Sequence, residues 1–337
     1  MPLNEVWFVL IAVLFTGFFF LEGFDFGVGM ATRLLPHTDG ERRVLINTIG
    51  PFWDANEVWL ITAAGAMFAA FPHWYATMFS GYYVLLSFIL LALIFRGVAF
   101  EFRGKVDKQA WRGIWDTGIF IGSCAPPLLF GMLFASMVKG VPIGPDMEMV
   151  AGFSDIVNGY SIWGGVTVVG LCLLHGLTFI SLRTVGEIRM RARRLALKLL
   201  PVQMGLLVVF TIWTYAATDL FEHRQVFLII SALLGSIVCI LAGYFMRKGR
   251  EGWAFTMTGS LIVLTFSSLF IGLSPRLMVS SIDSAFNLTL QNAASSPYTL
   301  QVMTVVAAVL LPFVLAYQVW SYFVFHKRVT EKDHLEY

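Results

Sequence analysis

Long apolar stretches alternate with short polar loops along almost the whole chain. Each stretch is about 20 residues long or longer, the length that an α-helix needs to cross a bilayer. The stretches are continuous, whereas an outer-membrane β-barrel shows short segments of alternating polarity. The pattern therefore predicts an all-α integral membrane protein with nine transmembrane helices, at about 6–29, 55–79, 82–102, 113–137, 159–182, 200–218, 226–246, 254–273 and 299–325.

The composition excludes several classes of protein. Of the 337 residues, 58% are hydrophobic and only 13% are charged, whereas a soluble globular chain carries about 25% charged residues. This excludes a soluble enzyme, a nucleic-acid-binding protein and a disordered chain. The first basic residue is Arg33, so the first apolar stretch lacks the positive region of a cleavable signal peptide and is expected to remain as a membrane helix.

Basic residues predict the orientation in the membrane. Alternate loops, from the one with Arg33 to the tail with Lys332, hold 19 of the 23 Lys and Arg residues, and the opposite loops hold three. Loops rich in Lys and Arg face the cytoplasm. We therefore expect the amino terminus outside and the carboxyl terminus in the cytoplasm.

Acidic residues divide the chain into two chemically different halves. Charged groups are costly inside a bilayer, so each one in or beside a span is a candidate for function. Spans five to nine contain no Asp, Glu, Lys or Arg. The first four spans hold or border six acids, all on the predicted cytoplasmic side: Glu22, Asp25, Asp54, Glu57, Glu101 and Asp116.

The spacing of four of these acids predicts a polar pocket. Glu22 and Asp25 are three residues apart, and Asp54 and Glu57 repeat that spacing, which places each pair on one helix face. Arg96, inside the third span, is the natural countercharge. Two roles stay open: a proton relay from the cytoplasm, or an ion-paired clamp that fixes the bundle. For Glu101 and Asp116, which lie nearer the loops, the clamp is favoured.

Candidates for cofactor binding are few. His175 is the one histidine in the middle of a span, and a lone membrane histidine is more typical of a hydrogen-bonded core residue than of a haem ligand. The three cysteines have no spacing that suits a metal site, so we expect none. Trp53 borders the predicted pocket and could stack on a quinone ring, although a place in the interfacial aromatic belt is favoured.

Several strings point to one family. EGFDFGVGM (22–30), GPFWDANEVWLITAAGAMFAAFP (50–72), WRGIWDTGIFIGSCAPPLLFG (111–131) and QVMTVVAAVLLP (301–312) resemble subunit II of the cytochrome bd-type quinol oxidases. The resemblance covers essentially the whole chain, and the motifs together are specific. It implies nine helices in a bacterial cytoplasmic membrane, arranged as two four-helix bundles (1–138 and 159–273) and a peripheral helix (299–325).

The resemblance also implies a function. The family's complex oxidises quinol and reduces dioxygen to water, with two b-type haems and one d-type haem in subunit I and no cofactor firmly assigned to subunit II. Subunit I is the implied partner in a heterodimer, beside membrane lipid and a quinone, and a small single-helix accessory subunit is compatible with it. Alternatives are a pure assembly scaffold for subunit I and a secondary proton-coupled transporter.

Roles carried over from the family fall on the acids of the first four spans. The resemblance implies that Asp25 and Asp54 are central carriers of a proton-uptake route, tuned by Arg96, and that Asp116 lies where protons are taken up. The spacing of the acids, rather than the resemblance, adds Glu22 to the same route. Some relatives have Gln at the position of Glu57, which weakens a proton-carrying role for that residue.

Overall fold

Helices dominate the computed structural model, which describes residues 2–331, 333 and 335. Lys332, counted above among the inner basic residues, lies outside the described residues. A short antiparallel pair, β1 (Arg276–Met278) and β2 (Leu288–Thr289), and a 3-10 turn (Ser284–Phe286) complete the described part. The helices are α1 (Leu3–Ala31), α2 (Asp39–Ile49), α3 (Trp53–Ala70), α4 (Pro72–Gly81), α5 (Tyr83–Arg103), α6 (Gln109–Lys139), α7 (Phe153–Ile156), α8 (Gly159–Arg183), α9 (Gly186–Ala217), α10 (Leu220–Lys248), α11 (Glu251–Leu273) and α12 (Pro297–Val324).

Eight of the described helices are long and apolar enough to cross a membrane: α1, α5, α6, α8, α9, α10, α11 and α12. The prediction of an all-α membrane protein is therefore confirmed, and each of the eight overlaps one predicted span. The main difference in bounds is α9, which starts at Gly186 rather than near residue 200 because its first turns are basic but still helical. The count of nine, the orientation and the division into two bundles stay predictions.

The predicted span at 55–79 is a broken helix. Phe71 has φ −136° and ψ 70°, which are not helical values, and it separates α3 from α4. Pro72 explains the break, because its ring disfavours a helical conformation at the preceding residue and its fixed φ suits the first position of a new helix. Polar residues in the first turns of α3 further shorten its apolar part.

Helix α2 lies in the predicted inner loop 30–54, where the apolar pattern predicted no helix. The Thr38 side chain accepts a hydrogen bond from the Glu41 amide at 3.2 Å and so caps the first turn. Val44, Leu45 and Ile49 are buried. The helix therefore rests on the end of the bundle that the basic loops surround.

Four helices, α1, α6, α8 and α11, pack at the centre of the described structure: α1 and α8 each contact the other three, and α6 meets α11 through the rings of Phe134 and Phe266. Helix α3 packs on α1, α5 on α6, α9 on α8, and α10 on α11, while α12 lies against α1 and α3. The backbones of α1 and α8 touch: a methyl group on Gly176 would lie 2.4 Å from the carbonyl carbon of Gly27. Only glycine allows this approach.

Candidate functional site

A charged cluster lies inside the bundle, built by three helices. Helix α1 contributes Glu22 and Asp25, α3 contributes Glu57 and α5 contributes Arg96. Glu22, Asp25 and Arg96 are fully buried. One guanidinium nitrogen of Arg96, Nη2, donates to Glu22 Oε1 and lies 2.8 Å from Glu57 Oε1. The countercharge predicted from the sequence is therefore present.

Aromatic rings and a glycine hold Arg96 in place. Its guanidinium carbon lies 4.6 Å from the ring centroid of Phe26 and 5.8 Å from that of Phe100, distances typical of cation–π contacts. A methyl group on Gly122 of α6 would lie 2.6 Å from Arg96 Cβ, so the glycine makes room for the arginine. The side chain is thus fixed by contacts on several sides.

Several polar atoms of the cluster have no hydrogen-bond partner in the described part of the chain. Among the described residues, Glu22 Oε2, Asp25 Oδ1, and Arg96 Nε and Nη1 are buried and accept or donate no hydrogen bond. Buried polar groups normally bond to protein or to ordered water. Three carboxylates around one guanidinium also leave negative charge in excess. The cluster is therefore suited to holding protons or water rather than to being a closed ion pair.

Asp25 is joined to the peripheral helix α12 through an amide. Asn56 of α3 donates from Nδ2 to Asp25 Oδ2 at 2.6 Å, and the Tyr322 hydroxyl donates to Asn56 Oδ1 at 2.9 Å. Gln318 adds a 3.4 Å bond to the same Asn56 oxygen. Sequence reasoning missed Asn56, because only ionisable residues were considered; its place between two acids in WDANE is the signal that was available.

Asp54 does not join the cluster. Its side chain is exposed at the start of α3, contrary to the expectation of a pocket shared with Glu57. Asn56 faces Asp25, and two residues of α-helix turn the chain by roughly 200°, which directs Asp54 away. Glu57 keeps 22% of its side chain exposed and so marks the edge of the cluster. Trp53 is half-buried, with its ring centroid 5.4 Å from that of Phe100.

Asp116 belongs to a second ionic network at the inner loops. Arg103 Nε lies 2.6 Å from Asp116 Oδ1, and Arg42 Nη1 lies 3.5 Å from Asp116 Oδ2. Arg103 also bonds to Asp39, and Arg112 Nη1 lies 3.3 Å from Asp39 Oδ2. Partial burial opposes ionisation of Asp39, but the Arg103 hydrogen bond and the surrounding arginine charges prevail and lower the pKa of Asp39 below its usual range. Asp39 is therefore held as a carboxylate.

His175 is satisfied within the core. Its Nδ1 lies 2.8 Å from Thr258 Oγ1, its Nε2 lies 3.2 Å from the Phe20 carbonyl oxygen, and its ring stacks on Phe255 with centroids 4.4 Å apart. Both ring nitrogens are therefore engaged by protein groups. Within the described part of the chain, no group of three or more His, Cys, Asp or Glu residues is arranged to hold a metal ion.

Comparisons with known proteins concern nearly the whole chain. Residues 3–325 match the family model described as cytochrome bd terminal oxidase subunit II. The chain is 55% identical over 335 residues to cytochrome bd ubiquinol oxidase subunit 2 of Bacillus subtilis strain 168, a match that covers 99% of both chains. It is 36% identical over 365 aligned positions to cytochrome bd-I ubiquinol oxidase subunit 2 of Escherichia coli strain K12, covering 98% of this chain and 96% of that relative.

A solved structure shares the fold. The structure of the bd oxidase from Geobacillus thermodenitrificans contains a chain that superposes with a TM-score of 0.80, covering 97% of this chain and 100% of that one. The two sequences are 15% identical. This likeness therefore concerns the fold alone.

Proposed function

Since the chain belongs to the cytochrome bd terminal oxidase subunit II family, we propose that its buried cluster of Glu22, Asp25, Glu57 and Arg96 carries protons toward the haem-bearing subunit I. Membership makes it a subunit of a terminal oxidase, an oxidoreductase complex of the bacterial cytoplasmic membrane. In this proposal the haems and the site of quinol oxidation lie in subunit I. Subunit II supplies a proton route and structural support.

A proton route is needed because of the reaction that the oxidase complex carries out. Reduction of dioxygen to water consumes protons, and a water-poor site inside a membrane protein needs a path for them. Asp25 lies six residues before the end of α1, or roughly 9 Å along the helix axis. The cluster would therefore stand between the inner loops and the middle of the hydrocarbon region, which is about 30 Å thick.

The single observation that carries the proposal is the excess of carboxylates around Arg96. Glu22 and Glu57 pair with the one guanidinium, Asp25 one helical turn from Glu22 adds a third carboxyl group, and buried oxygens of Glu22 and Asp25 lack partners among the described residues. A proton shared among these acids offsets the excess charge, and the unpartnered oxygens are places where it can reside. Glu57, partly exposed, is the member from which a proton can leave the chain. Asp54 is proposed as an exposed exchange point and Asp116 as an anchor of the ionic network.

The helix that is broken into α3 and α4 affects the number of membrane crossings. We propose that α3 and α4 together form the ninth crossing, because their residues 53–81 would extend roughly 40 Å if stacked end to end. This crossing restores the alternation of basic and neutral loops that predicts a cytoplasmic carboxyl terminus. Subunit I is then the partner proposed for the outward face of α3, with a quinone and a small accessory chain as further partners of the complex.

The test is an Asp25→Asn variant of the assembled oxidase. The variant keeps the shape and the hydrogen bond to Asn56 but cannot release a proton, so oxygen uptake should fall about tenfold or more while the haem spectrum stays intact. Glu101→Gln is the matched control, since Glu101 is exposed near the same end of the bundle. Unchanged oxygen uptake with full haem content would remove Asp25 from the route. Asp54→Asn tests the exposed exchange point in the same way.

A second candidate function is a helix clamp that supports assembly without moving protons. Arg96 bonds to Glu22 of α1 and contacts Glu57 of α3, so it ties three helices together. If this is its whole role, Asp25→Asn and Glu22→Gln should reduce the amount of assembled complex and leave the turnover of what assembles unchanged. Family membership favours both oxidase roles over a secondary transporter.

A further inference from the structure

A groove runs along α12 where this helix faces α1, α8 and α11. Its volume is about 1140 Å³. Aromatic and aliphatic side chains form most of its walls, among them Phe20, Phe24, Phe255 and Val263. One end of the groove is different, because Arg183, Arg328 and His326 line it. The groove is therefore apolar along its length and basic at one end.

Arg183 at that end is a buried cation with no counterion among the residues that the structure describes. It is the last residue of α8 and is 7% exposed. Among the described residues no carboxylate lies within 4 Å of its guanidinium, and its Nε has no hydrogen-bond partner. The guanidinium instead lies 5.7 Å from the ring centroid of Phe52 and 5.9 Å from that of Phe179. A buried guanidinium normally has an anionic partner, because its desolvation is otherwise uncompensated.

A second cation is brought to the same end by the chain that follows α12. The Val329 amide donates to the carbonyl oxygen of Arg183 at 2.8 Å, which fixes this segment against the end of α8. Arg328, the residue before it, is exposed and lines the groove. The basic loops predict that this end faces the cytoplasm, where the membrane leaflet carries anionic lipids.

We propose that the groove binds one anionic phospholipid of the inner leaflet. The phosphate lies against Arg183 and Arg328, and an acyl chain follows the apolar wall between α12 and α11. A planar guanidinium matches two phosphate oxygens, which makes arginine suited to this contact. Charge complementarity selects the occupant: a quinone offers a neutral ring to Arg183, and a zwitterionic lipid offers the phosphate together with a positive group beside Arg328.

The first experiment measures lipid binding to the purified oxidase complex. The delipidated complex is titrated with phosphatidylglycerol or with phosphatidylcholine of the same acyl chains, and bound lipid is counted by native mass spectrometry. We expect one tight site for phosphatidylglycerol, and an affinity at least about tenfold lower in Arg183→Gln, since a hydrogen bond to a charged group is lost. Arg194→Gln is the control. Arg194 lies in the basic first turns of α9, which follows Arg183 in the chain, but it is exposed, with its Nη2 3.6 Å from Glu187 Oε2.

Two results would overturn the proposal in this experiment. One is equal binding of the two lipids, and the other is an equal loss in Arg194→Gln, which would indicate general attraction to basic loops. Recovery of a quinone, rather than a phospholipid, from the wild-type complex but not from Arg183→Gln would also contradict it. So would a carboxylate of subunit I within bonding distance of Arg183 in a density map of the complex.

A second variant decides the question if Arg183→Gln does not assemble. Val263→Trp fills the apolar part of the groove without touching the arginines, because Val263 lies on α11 and is 39% exposed. We expect the tight phosphatidylglycerol site to be lost. Val305→Trp on α12, which is exposed but does not line the groove, should retain it. Retention of the site in both variants would show that the groove is not where the lipid binds.

Discussion

The buried cluster and the inner-loop network use the same two kinds of side chain in opposite proportions. In the cluster, Glu22 and Glu57 share the single cation Arg96, and Asp25 is bonded to the neutral amide of Asn56. In the network, Asp39 and Asp116 form ion pairs with three arginines, Arg42, Arg103 and Arg112. The lesson is that charge balance, rather than the presence of acids, separates a candidate proton carrier from an anchor.

The cluster and the network also differ in how far water reaches them. The network lies at helix ends, where Asp39 keeps 36% of its side chain exposed and water screens its charge. The cluster lies inside the bundle, with Glu22 and Arg96 fully buried. An unpaired polar group costs more free energy there, because the interior has a lower dielectric constant than water. Removing a cation from the cluster should therefore lower the free energy of unfolding far more than removing one from the network.

The largest effect is expected for Arg96→Gln. Removing one partner of a buried pair leaves uncompensated charge and typically costs about 3–5 kcal/mol. The free energy of unfolding should fall by that amount, measured as reduced yield of the assembled complex and a lower unfolding temperature. Arg194→Gln, at an exposed site, should change neither. A loss below about 1 kcal/mol for Arg96→Gln would show that the cluster is solvated and that the comparison is wrong.

A double variant sharpens the first prediction. Adding Glu22→Gln to Arg96→Gln removes one of the carboxylates that the missing arginine leaves unpaired. The double variant should therefore be more stable than Arg96→Gln alone, by about 1–2 kcal/mol of coupling. Equal or lower stability of the double variant would indicate that Arg96 acts through packing on Phe26 and Phe100 rather than through charge.

A smaller loss is expected for Arg103→Gln. The change removes the 2.6 Å hydrogen bond to Asp116 and the bond to the partly exposed Asp39, and a hydrogen bond to a charged group contributes about 1.5–3 kcal/mol. Arg42, 3.5 Å from the other Asp116 oxygen, remains to balance that acid. The unfolding temperature of the complex reports the effect. A loss as large as that of Arg96→Gln would mean that the two regions do not differ in kind.

Acid should weaken the network through Asp39. Its pKa is lower in the folded chain than the value of about 3.9 expected when unfolded, so its contribution is complete above about pH 4 and is lost as the pH falls through the lower folded value. An Asp39→Asn variant should lack this part of the acid dependence, measured as the unfolding temperature between pH 5 and pH 3. Glu101→Gln is the control. An unchanged acid dependence in Asp39→Asn would contradict the prediction.

The smallest effect is expected at the rim of the network. Arg112 Nη2 lies 2.7 Å from Asp107 Oδ1, but the Asp107 side chain is 91% exposed. Exposed ion pairs contribute about 0–1 kcal/mol. Asp107→Asn should therefore shift the unfolding temperature by no more than the control Glu101→Gln does. Salt at about 0.5 M should abolish any shift that remains, because it screens exposed charges. A clear loss would show that the rim contributes more than its exposure allows.

The helices and the main ion pair were accessible from sequence for simple reasons. A bilayer demands about 20 apolar residues per crossing, which makes eight helices visible as runs. A lone arginine in such a run needs an acid, which predicted the pairing of Arg96. The break at Phe71 could also be predicted, because Pro72 disfavours a helical conformation at the residue before it. The apolar pattern is continuous across this position, however, and so indicated a single helix.

The side chains that face one another could not be predicted in the same way. Asp54 and Asn56 are close in sequence, and which of them meets Asp25 depends on how α3 is rotated against α1. Tyr322 and Gln318 reach the cluster from α12, more than 260 residues away along the chain. Helix α2 was missed because it has 11 residues and one apolar face, so it does not appear as a long apolar run.

The contact between Gly27 and Gly176 has a mechanical consequence. With no side chain between the two backbones, α1 and α8 have nothing compressible at their crossing, so neither can slide toward the other or turn freely. Asp25 lies two residues from that crossing. A displacement of α8 at this crossing must therefore move the backbone of α1 close to Asp25.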